Sequence, residues 1–341
     1  MSDQLSTILV TGGAGYIGSH TCVELLNAGH EVVVLDNLCN STTKSLDAVR
    51  RLTNRTLQFV EGDIRDASAL KRVFETHRID SVVHFAGLKA VGESVEKPLQ
   101  YYDNNVNGTL QLLDVMRAHA VKTLVFSSSA TVYGDPVRIP ATEDLPTDAT
   151  NPYGRSKLII EHMLRDLHRA DPQWRISLLR YFNPVGAHAS GELGEDPRGV
   201  PNNLLPYIAQ VAVGRLPFLR VFGNDYATRD GTGVRDYIHV VDLARGHLAA
   251  LNYIAQRPQL TVHNLGTGHG SSVLEAIAAF EAASGKTIPY RFVERRPGDI
   301  AECYADTSKA QRELGWHAQL DLNDMCRDAW HWQSRHPNGF F

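Results

Sequence analysis

The sequence predicts an α/β fold in which a doubly wound parallel sheet is covered by helices on both faces. Short apolar segments recur through the first half of the chain, and stretches long enough for crossover helices separate them. The apolar segments are almost continuously hydrophobic, as expected for parallel strands that are buried on both faces. The predicted strands are residues 5–11, 31–36, 57–62, 81–86, 123–128 and 176–182. The clearest predicted helices are residues 16–28, 100–118 and 153–170. Repeated strand–helix units of this kind are typical of a doubly wound sheet.

A glycine-rich loop, TGGAGYIG, follows the first predicted strand and opens the first predicted helix. Gly12, Gly15 and Gly18 allow the backbone to turn tightly and to approach a pyrophosphate, whose charge the helix N-terminus stabilises. Asp36 ends the second strand, 18 residues after Gly18. A carboxylate there accepts hydrogen bonds from ribose hydroxyls and repels a 2′-phosphate. The strand–loop–helix context therefore predicts a Rossmann-type site for NAD rather than NADP.

The strand–helix pattern changes after about residue 183, where loops rich in Pro, Gly and Asn alternate with short helices. The stretch 236–265 again resembles a helix that leads into a strand, and this strand is expected to return to the main sheet. We therefore predict two lobes, each made of two pieces. The dinucleotide-binding domain comprises residues 1–183 and about 236–267, and a smaller mixed α/β lobe comprises about 184–235 and 268–341.

The composition argues against several other classes of protein. The chain has 341 residues, and its 34 basic and 38 acidic side chains give a net charge of −4, which offers no basic patch for nucleic acid. No apolar run is long enough to span a bilayer, and the sequence begins without a charged and apolar leader. The four cysteines lie far apart, with no metal-ligand spacing. These features predict a cytoplasmic enzyme without a metal.

Tyr153 and Lys157 follow an Asn-Pro pair and share one face of the predicted helix 153–170. They lie one strand–helix unit after SSSATVYG, whose Ser129 is expected at the carboxyl end of a strand, near the cofactor crevice. A buried tyrosine beside a lysine is suited to removing the proton from a hydroxyl group that is oxidised. Tyrosine has an ordinary pKa of about 10, so a tyrosinate at neutral pH requires about 4 kcal/mol of stabilisation. A lysine ammonium and a positive nicotinamide supply this in a partly dehydrated cleft.

Seven stretches, in order along almost the whole chain, resemble the extended short-chain dehydrogenase/reductase family and, within it, the UDP-galactose 4-epimerases. These stretches are FAGLKAVGES, YYDNNVNGT, FSSSATVYG, RYFNPVGAH, PNNLLPYIAQVAVG, FGNDY and DGTGVRDYIHVVDLA. The resemblance implies reversible C4 epimerisation of UDP-galactose and UDP-glucose with bound NAD, in a homodimer. It also implies catalytic roles for Ser129, Tyr153 and Lys157. Tyr153 exchanges the proton, Ser129 hydrogen-bonds the reacting oxygen, and Lys157 also holds the nicotinamide ribose.

The resemblance extends these roles to residues that bind the two nucleotides. The cofactor set is Gly12, Gly15, Tyr16, Ile17, Gly18, Asp36, Asn37, Asp63, Ile64, Phe85, Ala86, Gly87, Lys89, Asn104, Tyr153, Lys157 and Tyr181. Asn105 is a further candidate near the nicotinamide side. The UDP-hexose set is Ser129, Tyr153, Asn183, Asn203, Leu204, Phe222, Arg235, Arg296, Asp299 and Cys303. Arginine suits the pyrophosphate because its planar fork makes paired charged hydrogen bonds.

Other functions known on the same scaffold require different residues, and these residues distinguish between them. Dehydratases of this family carry an acidic pair directly after the serine or threonine, where this chain has Ala130 and Thr131. Neither side chain is a general acid or base at neutral pH, which argues against elimination. A UDP-glucuronate 4-epimerase needs a cation for the C6 carboxylate, which the sequence does not show clearly, and a related sugar-nucleotide oxidoreductase remains an alternative. A non-catalytic NAD sensor is expected to lack Tyr153 or Lys157.

Position 303 bears on the sugars that the enzyme accepts. Related epimerases restricted to unmodified hexoses carry a tyrosine here, whereas those that accept N-acetylhexosamines carry a small residue. This chain has Cys303. The resemblance therefore implies activity on N-acetylated UDP-hexoses as well.

Overall fold

A computed structural model of the protein describes residues 6–256, 258–296 and 298–340. The strands are β1 (Thr7–Thr11), β2 (Glu31–Asp36), β3 (Gln58–Glu61), β4 (Ser81–His84), β5 (Thr123–Ser127), β6 (Arg175–Tyr181), β7 (Asn183–Val185), β8 (Leu219–Phe222), β9 (Val234–His239), β10 (Gln259–Leu265), β11 (Gly270–Ser272), β12 (Tyr290–Val293) and β13 (Glu302–Cys303). The helices are α1 (Tyr16–Asn27), α2 (Thr43–Thr53), α3 (Ala67–Thr76), α4 (Val91–Glu96), α5 (Pro98–Tyr101), α6 (Gly108–Ala118), α7 (Pro152–Ala170), α8 (Leu204–Ala212), α9 (Val240–Ala255), α10 (Val273–Ser284), α11 (Ser308–Leu314) and α12 (Leu322–Arg335).

The main sheet has seven strands in the order β10-β6-β5-β4-β1-β2-β3, and every neighbouring pair is parallel. This confirms the predicted doubly wound α/β fold. β2 and β3 lie on one side of β1, and the chain then crosses back to place β4 and the later strands on the other side. The carboxyl ends of β1 and β4 therefore border a crevice, which is where such sheets bind ligands. Thr11, Asp36, Ser127 and Tyr181 all end strands at this edge.

Adjacent residues of the central strands point to opposite faces of this sheet, and each face carries its own apolar core. Val10 and Val34 pack in the core on the side of α1 and α9. Leu9 and Val33 pack in the other core, together with Leu112 of α6. Because both faces are dry, the strands need no polar alternation, and this is why their sequences are almost continuously apolar.

The predicted helix 100–118 is not one regular helix. It consists of α5, a π-helical turn at Tyr102–Asn107, and α6. The π turn adds a residue to the helical repeat, and it contains the buried Asn104 and Asn105. Asn105 then bonds the loop after β4, accepting from the Leu88 N–H at 2.8 Å and donating to the Leu88 carbonyl at 3.0 Å.

The second half of the chain combines two small sheets with helices. β7, β9, β11 and β13 form one sheet, β8 and β12 pair as another, and α8, α10 and α12 pack around the apolar core between them. The stretch 236–265 begins inside β9, which pairs with β7, β11 and β13, and only β10 joins the main sheet. The division of the chain into two lobes, with its boundaries, stays a prediction. No helix in the described part of the chain is long and apolar enough to cross a membrane.

Candidate active site

The glycine loop between β1 and α1 is packed so closely that larger residues would collide with backbone. Gly12 has a φ of +72°, and a Cβ there would lie 2.7 Å from the Ala86 nitrogen. A Cβ at Gly18 would lie 2.3 Å from the Gly12 carbonyl oxygen. Gly15 begins α1 with extended backbone and no side-chain cap. The helix therefore presents its first N–H groups at the crevice, which is a cradle for phosphate.

Asp36 lies beside this cradle and is buried. Its carboxylate accepts hydrogen bonds from the Ala14 N–H at 3.0 Å, the Leu38 N–H at 2.9 Å and the Ser41 hydroxyl at 2.8 Å. These bonds fix the carboxylate between the glycine loop and the loop after β2. A carboxylate side chain in this position favours a free ribose diol over a ribose phosphate.

Asn37 and Asp63 lie together at the ends of β2 and β3, where the Asn37 amide donates to Asp63 at 2.9 Å. Arg65 makes two side-chain hydrogen bonds to Asp63 and holds the pKa of that carboxyl well below its usual range. Asp63 is therefore a fixed acceptor at this edge. Ile64 is buried against Gly108, where a Cβ would lie 2.6 Å from the Ile64 Cδ1 atom.

The loop after β4 forms the next part of the crevice. The Phe85 and Ala86 N–H groups both donate to the Thr11 carbonyl at 3.0 Å, which ties this loop to β1. A Cβ at Gly87 would lie 3.8 Å from the Lys157 Nζ atom. The glycine loop, β4 and α7 thus meet at one point. The predicted cofactor residue Tyr16 donates its hydroxyl to the Gly186 carbonyl at 2.7 Å, across the crevice.

The start of α7 places Tyr153 and Lys157. Asn151 caps the helix by accepting from the Gly154 N–H at 2.9 Å, and Pro152 occupies the first helical position. A Cβ at Gly154 would lie 2.9 Å from the Thr131 carbonyl oxygen, so α7 packs directly against the segment after Ser129. Tyr153 and Lys157 are buried on the inner face of α7.

Lys157 donates from Nζ to the Ser127 carbonyl at 2.7 Å, and its Nζ lies 4.9 Å from the centre of the Phe126 ring. Burial lowers the pKa of the Lys157 ammonium to about 8. A buried ammonium with one carbonyl partner has N–H donors left for other acceptors, such as a ribose hydroxyl.

Ser129 begins a 3₁₀ turn at Ala130–Tyr133, and its hydroxyl oxygen accepts from the Thr131 N–H at 3.2 Å and the Thr131 hydroxyl at 2.9 Å. Its own proton is thereby available for donation. Burial raises the pKa of Tyr153, and Tyr181 raises it further, whereas a hydrogen bond with Ser129 lowers it. The three predicted catalytic side chains are therefore gathered at one place, with Tyr181 beside them.

In the protein alone, the pKa of Tyr153 is not lowered, because burial and Tyr181 raise it by more than the hydrogen bond with Ser129 lowers it. Sequence reasoning assigned a lowering of this pKa to Lys157 together with a positive nicotinamide. Desolvation is the larger influence here, so lowering this pKa requires the added positive charge of the cofactor.

The predicted UDP-hexose residues lie on several elements of the second half. Arg235 of β9 pairs with Asp299, and the Arg296 guanidinium carbon lies 3.9 Å from the centre of the Phe222 ring. Asn203, which precedes α8 and Leu204, donates to Glu195 at 3.3 Å. Asn183 begins β7 and is exposed.

Cys303 lies on β13, directly beside Arg235 of β9. It is buried in a small apolar cluster with Tyr133 and Phe182, and burial raises the pKa of its thiol to about 11. Its side chain thus connects the 3₁₀ turn after Ser129 with the strand that carries Arg235. No group of metal-ligating side chains occurs among the residues that the structure describes.

Sequence reasoning missed residues that join the parts of this site. Glu195 accepts from Lys89 at 3.2 Å as well as from Asn203, and so connects the loop after β4 with α8. Arg198 donates to the carbonyls of Leu38, Cys39 and Ser41. These residues belong to the loop after Asp36. Glu161 and Arg180 form a buried ion pair behind Ser129. Only Glu161, one turn after Lys157, offered a sequence signal, namely an acid on the inner face of a helix.

A doubly wound sheet with a glycine cradle, and with serine, tyrosine and lysine gathered at its carboxyl edge, is the arrangement of the extended short-chain dehydrogenases/reductases. Comparison with known proteins defines the group further. The family model described as GDP-mannose 4,6 dehydratase matches residues 9–329. The UDP-glucose 4-epimerase of Bacillus subtilis is 62% identical over 333 residues, which cover 98% of both chains. That of Mus musculus is 60% identical, over 98% of this chain and 99% of the mouse protein.

Solved structures of UDP-glucose 4-epimerases are also similar to this chain. The crystal structure of UDP-glucose 4-epimerase from Bifidobacterium longum in complex with NAD⁺ and UDP is 58% identical, with a TM-score of 0.96 over 98% of this chain and 100% of that chain. The enzyme from Stenotrophomonas maltophila, with bound NAD and formylated UDP-arabinopyranose, is 54% identical, with a TM-score of 0.95 over 97% and 99% of the two chains. The chain belongs to the GDP-mannose 4,6 dehydratase family and, within it, to the UDP-glucose 4-epimerases.

Proposed function

We propose that the protein interconverts UDP-galactose and UDP-glucose by inverting C4, with NAD as its resident cofactor. The observation that carries this proposal is the gathering of Ser129, Tyr153 and Lys157 beside the glycine cradle. It occurs in a chain about 60% identical to UDP-glucose 4-epimerases over nearly its whole length.

The cradle fits NAD by its own geometry and chemistry. Close backbone packing at Gly12 and Gly18, an uncapped start of α1, and the Asp36 carboxylate suit a pyrophosphate followed by an unmodified ribose. Bound NAD supplies the hydride acceptor and, once reduced, the hydride donor. Phe85, Ala86 and Gly87 border the path of the cofactor, and Lys157 supplies donors for a ribose.

The side chains of the protein move and hold a proton. Tyr153 takes the proton of the sugar hydroxyl and returns it in the reverse step, since its pKa follows the charge beside it. Ser129 donates a hydrogen bond to the reacting oxygen and holds it near the phenol. Lys157 adds a positive charge close to both groups. The same set serves both directions, as inversion through a 4-keto sugar requires.

The family also contains dehydratases, and the segment after Ser129 favours the epimerase. Ala130 and Thr131 occupy the first positions of the 3₁₀ turn, and the Thr131 hydroxyl donates to Ser129. A threonine engaged in this way supports the position of Ser129 and does not supply an acid for elimination.

UDP is bound, in this proposal, by residues on both sides of the crevice. Arg235 and Arg296 contact the pyrophosphate, and Asp299 accepts from the uridine ribose. Arg235 and Asp299 pair with each other in the protein alone, where both side chains are partly exposed and such a pair adds little stability, so both are available to the nucleotide. Phe222, stacked against Arg296, offers a flat apolar surface for the base.

The small side chain of Cys303 supports the proposal that the enzyme accepts sugars other than galactose and glucose. This side chain lies next to the 3₁₀ turn after Ser129 and leaves more room than a tyrosine would. We propose that N-acetylated UDP-hexoses are substrates too, because the space suits an acetamido group at C2.

We also propose a homodimer. Apolar side chains exposed to solvent are concentrated on α4, α5 and α6, where Val95 is 63% exposed, Leu99 is 82% exposed and Leu110 is 47% exposed. Such a patch is typical of a contact surface between protein chains.

The cysteines of the described chain are free thiols, which supports a reducing, cytoplasmic location.

Proton NMR of UDP-galactose, incubated with purified enzyme and no added NAD, tests the proposal. Conversion to UDP-glucose, approached from either substrate, is the expected result and demonstrates that the cofactor remains bound. Accumulation of NADH would indicate a dehydrogenase, and loss of water from the sugar would indicate a dehydratase. Inversion of UDP-glucuronate alone would favour the alternative 4-epimerase. Any of these three results would contradict the proposal.

A further inference from the structure

The segment from Ser127 to Tyr133 carries two groups that the proposed reaction uses. The Ser127 carbonyl accepts from the Lys157 ammonium at 2.7 Å, and Ser129 lies two residues further along the chain. This segment leaves β5 and has only four residues of 3₁₀ turn of its own. Its position therefore depends on the groups that hold it from behind.

Side-chain contacts hold this segment at both of its ends. The Ser128 hydroxyl donates to Glu161 at 2.7 Å, and Glu161 lies one turn after Lys157 on α7. At the other end of the segment, the Arg180 guanidinium carbon lies 4.9 Å from the centre of the Tyr133 ring, and the Tyr133 hydroxyl donates to Asn264 at 2.6 Å. Both ends of the segment are thus fixed by groups that face away from the crevice.

Glu161 and Arg180 connect the two ends of this segment. Arg180 donates to both carboxylate oxygens of Glu161, at 3.0 and 2.6 Å, and only 1% of Glu161 and 3% of Arg180 is exposed. A buried ion pair is weak evidence of added stability, because apolar residues of similar size often serve a core as well. Here the pair provides an acceptor for Ser128 and a cation for Tyr133, which apolar residues would not.

We infer that Glu161, together with Ser128 and Arg180, is a positioning residue for the Ser129–Tyr153–Lys157 set. The helix that carries Tyr153 and Lys157 also carries the carboxylate that fixes Ser128. This one helix therefore fixes the position of Ser129 relative to Tyr153 and Lys157. This inference rests on the proposed epimerase activity and names residues that support it without touching the sugar.

The substitution Ser128→Ala tests the inference because it removes only the hydroxyl and leaves the ion pair in place. Small displacements of reacting groups cost large factors in rate, so we expect kcat to fall about tenfold with little change in KM for UDP-galactose. The Ser127 carbonyl stabilises the charged form of Lys157, so its displacement lowers the pKa of Lys157. The alkaline limb of the pH–rate profile should therefore move to lower pH.

Ser177→Ala is the matched control. Ser177 is a fully buried serine of β6 that accepts a hydrogen bond from Thr261 at 3.3 Å. It lies outside the segment from Ser127 to Tyr133. It should change the thermal midpoint about as much as Ser128→Ala does, with kcat and the alkaline limb unchanged. Equal loss of kcat in both variants would overturn the inference, as would wild-type kcat and an unmoved limb in Ser128→Ala.

Glu161→Gln provides a second measurement, since it keeps the shape of the side chain and removes its charge. Lower kcat, a displaced alkaline limb and a reduced thermal midpoint are expected, because Arg180 is left buried without its counterion. If this variant does not fold, Ser128→Ala decides the question alone. A wild-type enzyme that does not invert UDP-galactose would overturn the proposed function itself, which distinguishes that failure from a failure of the positioning role.

Discussion

At the scale of single residues, the proposed chemistry depends on the phenol of Tyr153. Burial and Tyr181 raise its pKa in the protein alone, and the hydrogen bond with Ser129 lowers it by less. This group therefore needs the cofactor's charge before it accepts a proton at neutral pH. The dependence links proton transfer to the redox state of the bound nucleotide, which is the property that a reversible inversion requires.

Replacing Tyr153 with phenylalanine removes the hydroxyl and keeps the ring. We expect kcat to fall by about 10² to 10⁴, the usual contribution of a positioned acid or base. Initial rates of UDP-galactose conversion measure the effect, and the amount of NAD that copurifies with the variant serves as the control for an intact cofactor site. Unchanged turnover with normal NAD content would exclude the phenol as the proton carrier.

Lys157 sets the pH dependence. Its pKa, lowered by burial to about 8, means that the ammonium is charged below about pH 8 and loses its charge above it. Since the charge assists Tyr153 and the ribose contact, kcat/KM should decline as the pH rises through this value. A pH–rate profile, with circular dichroism to confirm folding at each pH, is the measurement. A profile that stays flat to pH 10 would contradict the role of this charge.

Cys303→Tyr tests the proposed range of sugars. A tyrosine there fills the space beside Tyr133 and Phe182. Turnover of UDP-N-acetylglucosamine should fall at least about tenfold while turnover of UDP-glucose is retained, because a steric clash at C2 acts only on the larger sugar. Cys303→Ala is the control and should keep both activities. Equal turnover of the N-acetylated substrate by the wild type and the tyrosine variant would remove the steric argument.

At the scale of elements, the site is built where strands end and helices begin. The start of α1 is left without a side-chain cap, and the start of α7 is capped by Asn151. These different solutions match different tasks. The open terminus presents N–H groups to a ligand, whereas the capped terminus fixes the first turn of α7, which contains Tyr153.

Gly18→Ala tests the cradle. The added methyl group would lie 2.3 Å from the Gly12 carbonyl, so the loop must shift, at a cost of about 1–3 kcal/mol. The purified variant should therefore retain less NAD per chain and unfold at a lower temperature. Gly92→Ala is the matched control, since a Cβ at that helical position meets nothing within 4 Å. Full NAD content in Gly18→Ala would show that close packing here is dispensable.

At the scale of the whole molecule, long-range contacts hold the crevice together. Lys89 and Asn203 share the Glu195 carboxylate, and Arg198 reaches the loop after Asp36. Asp236 accepts from the Thr267, Gly268 and Ala305 N–H groups, and so ties the middle of β9 to the segments after β10 and β13. These contacts fix the cofactor cradle relative to the proposed sugar site.

Leu99→Glu tests the proposed homodimer. A charge in the centre of an apolar contact is strongly unfavourable, so size-exclusion chromatography with light scattering should show a shift from dimer to monomer. Val137→Glu is the control, because Val137 is also 82% exposed and lies outside the α4–α6 patch. A monomeric wild type, or a Leu99→Glu variant that remains dimeric, would contradict the assignment of this surface.

The sequence by itself determined the fold class, the glycine cradle with Asp36, and the Tyr153–Lys157 pair. These follow from local patterns, since parallel strands that are buried on both faces are continuously apolar and residues four apart share a helix face. The resemblance to known epimerases, rather than local physics, supplied the proposed UDP residues. Their roles, like the two-lobe division, stay predictions.

Only the tertiary structure decided the π turn at Tyr102–Asn107, the Glu161–Arg180 pair and the contacts of Glu195 and Arg198. Each depends on partners far apart in the chain, and local propensity carries no information about which distant carbonyl or carboxylate a side chain will meet. Glu161 illustrates the difference, because it resembles any helical glutamate until β6 places Arg180 against it. Burial then requires that the charge be paired, and that pairing fixes the segment that carries Ser129.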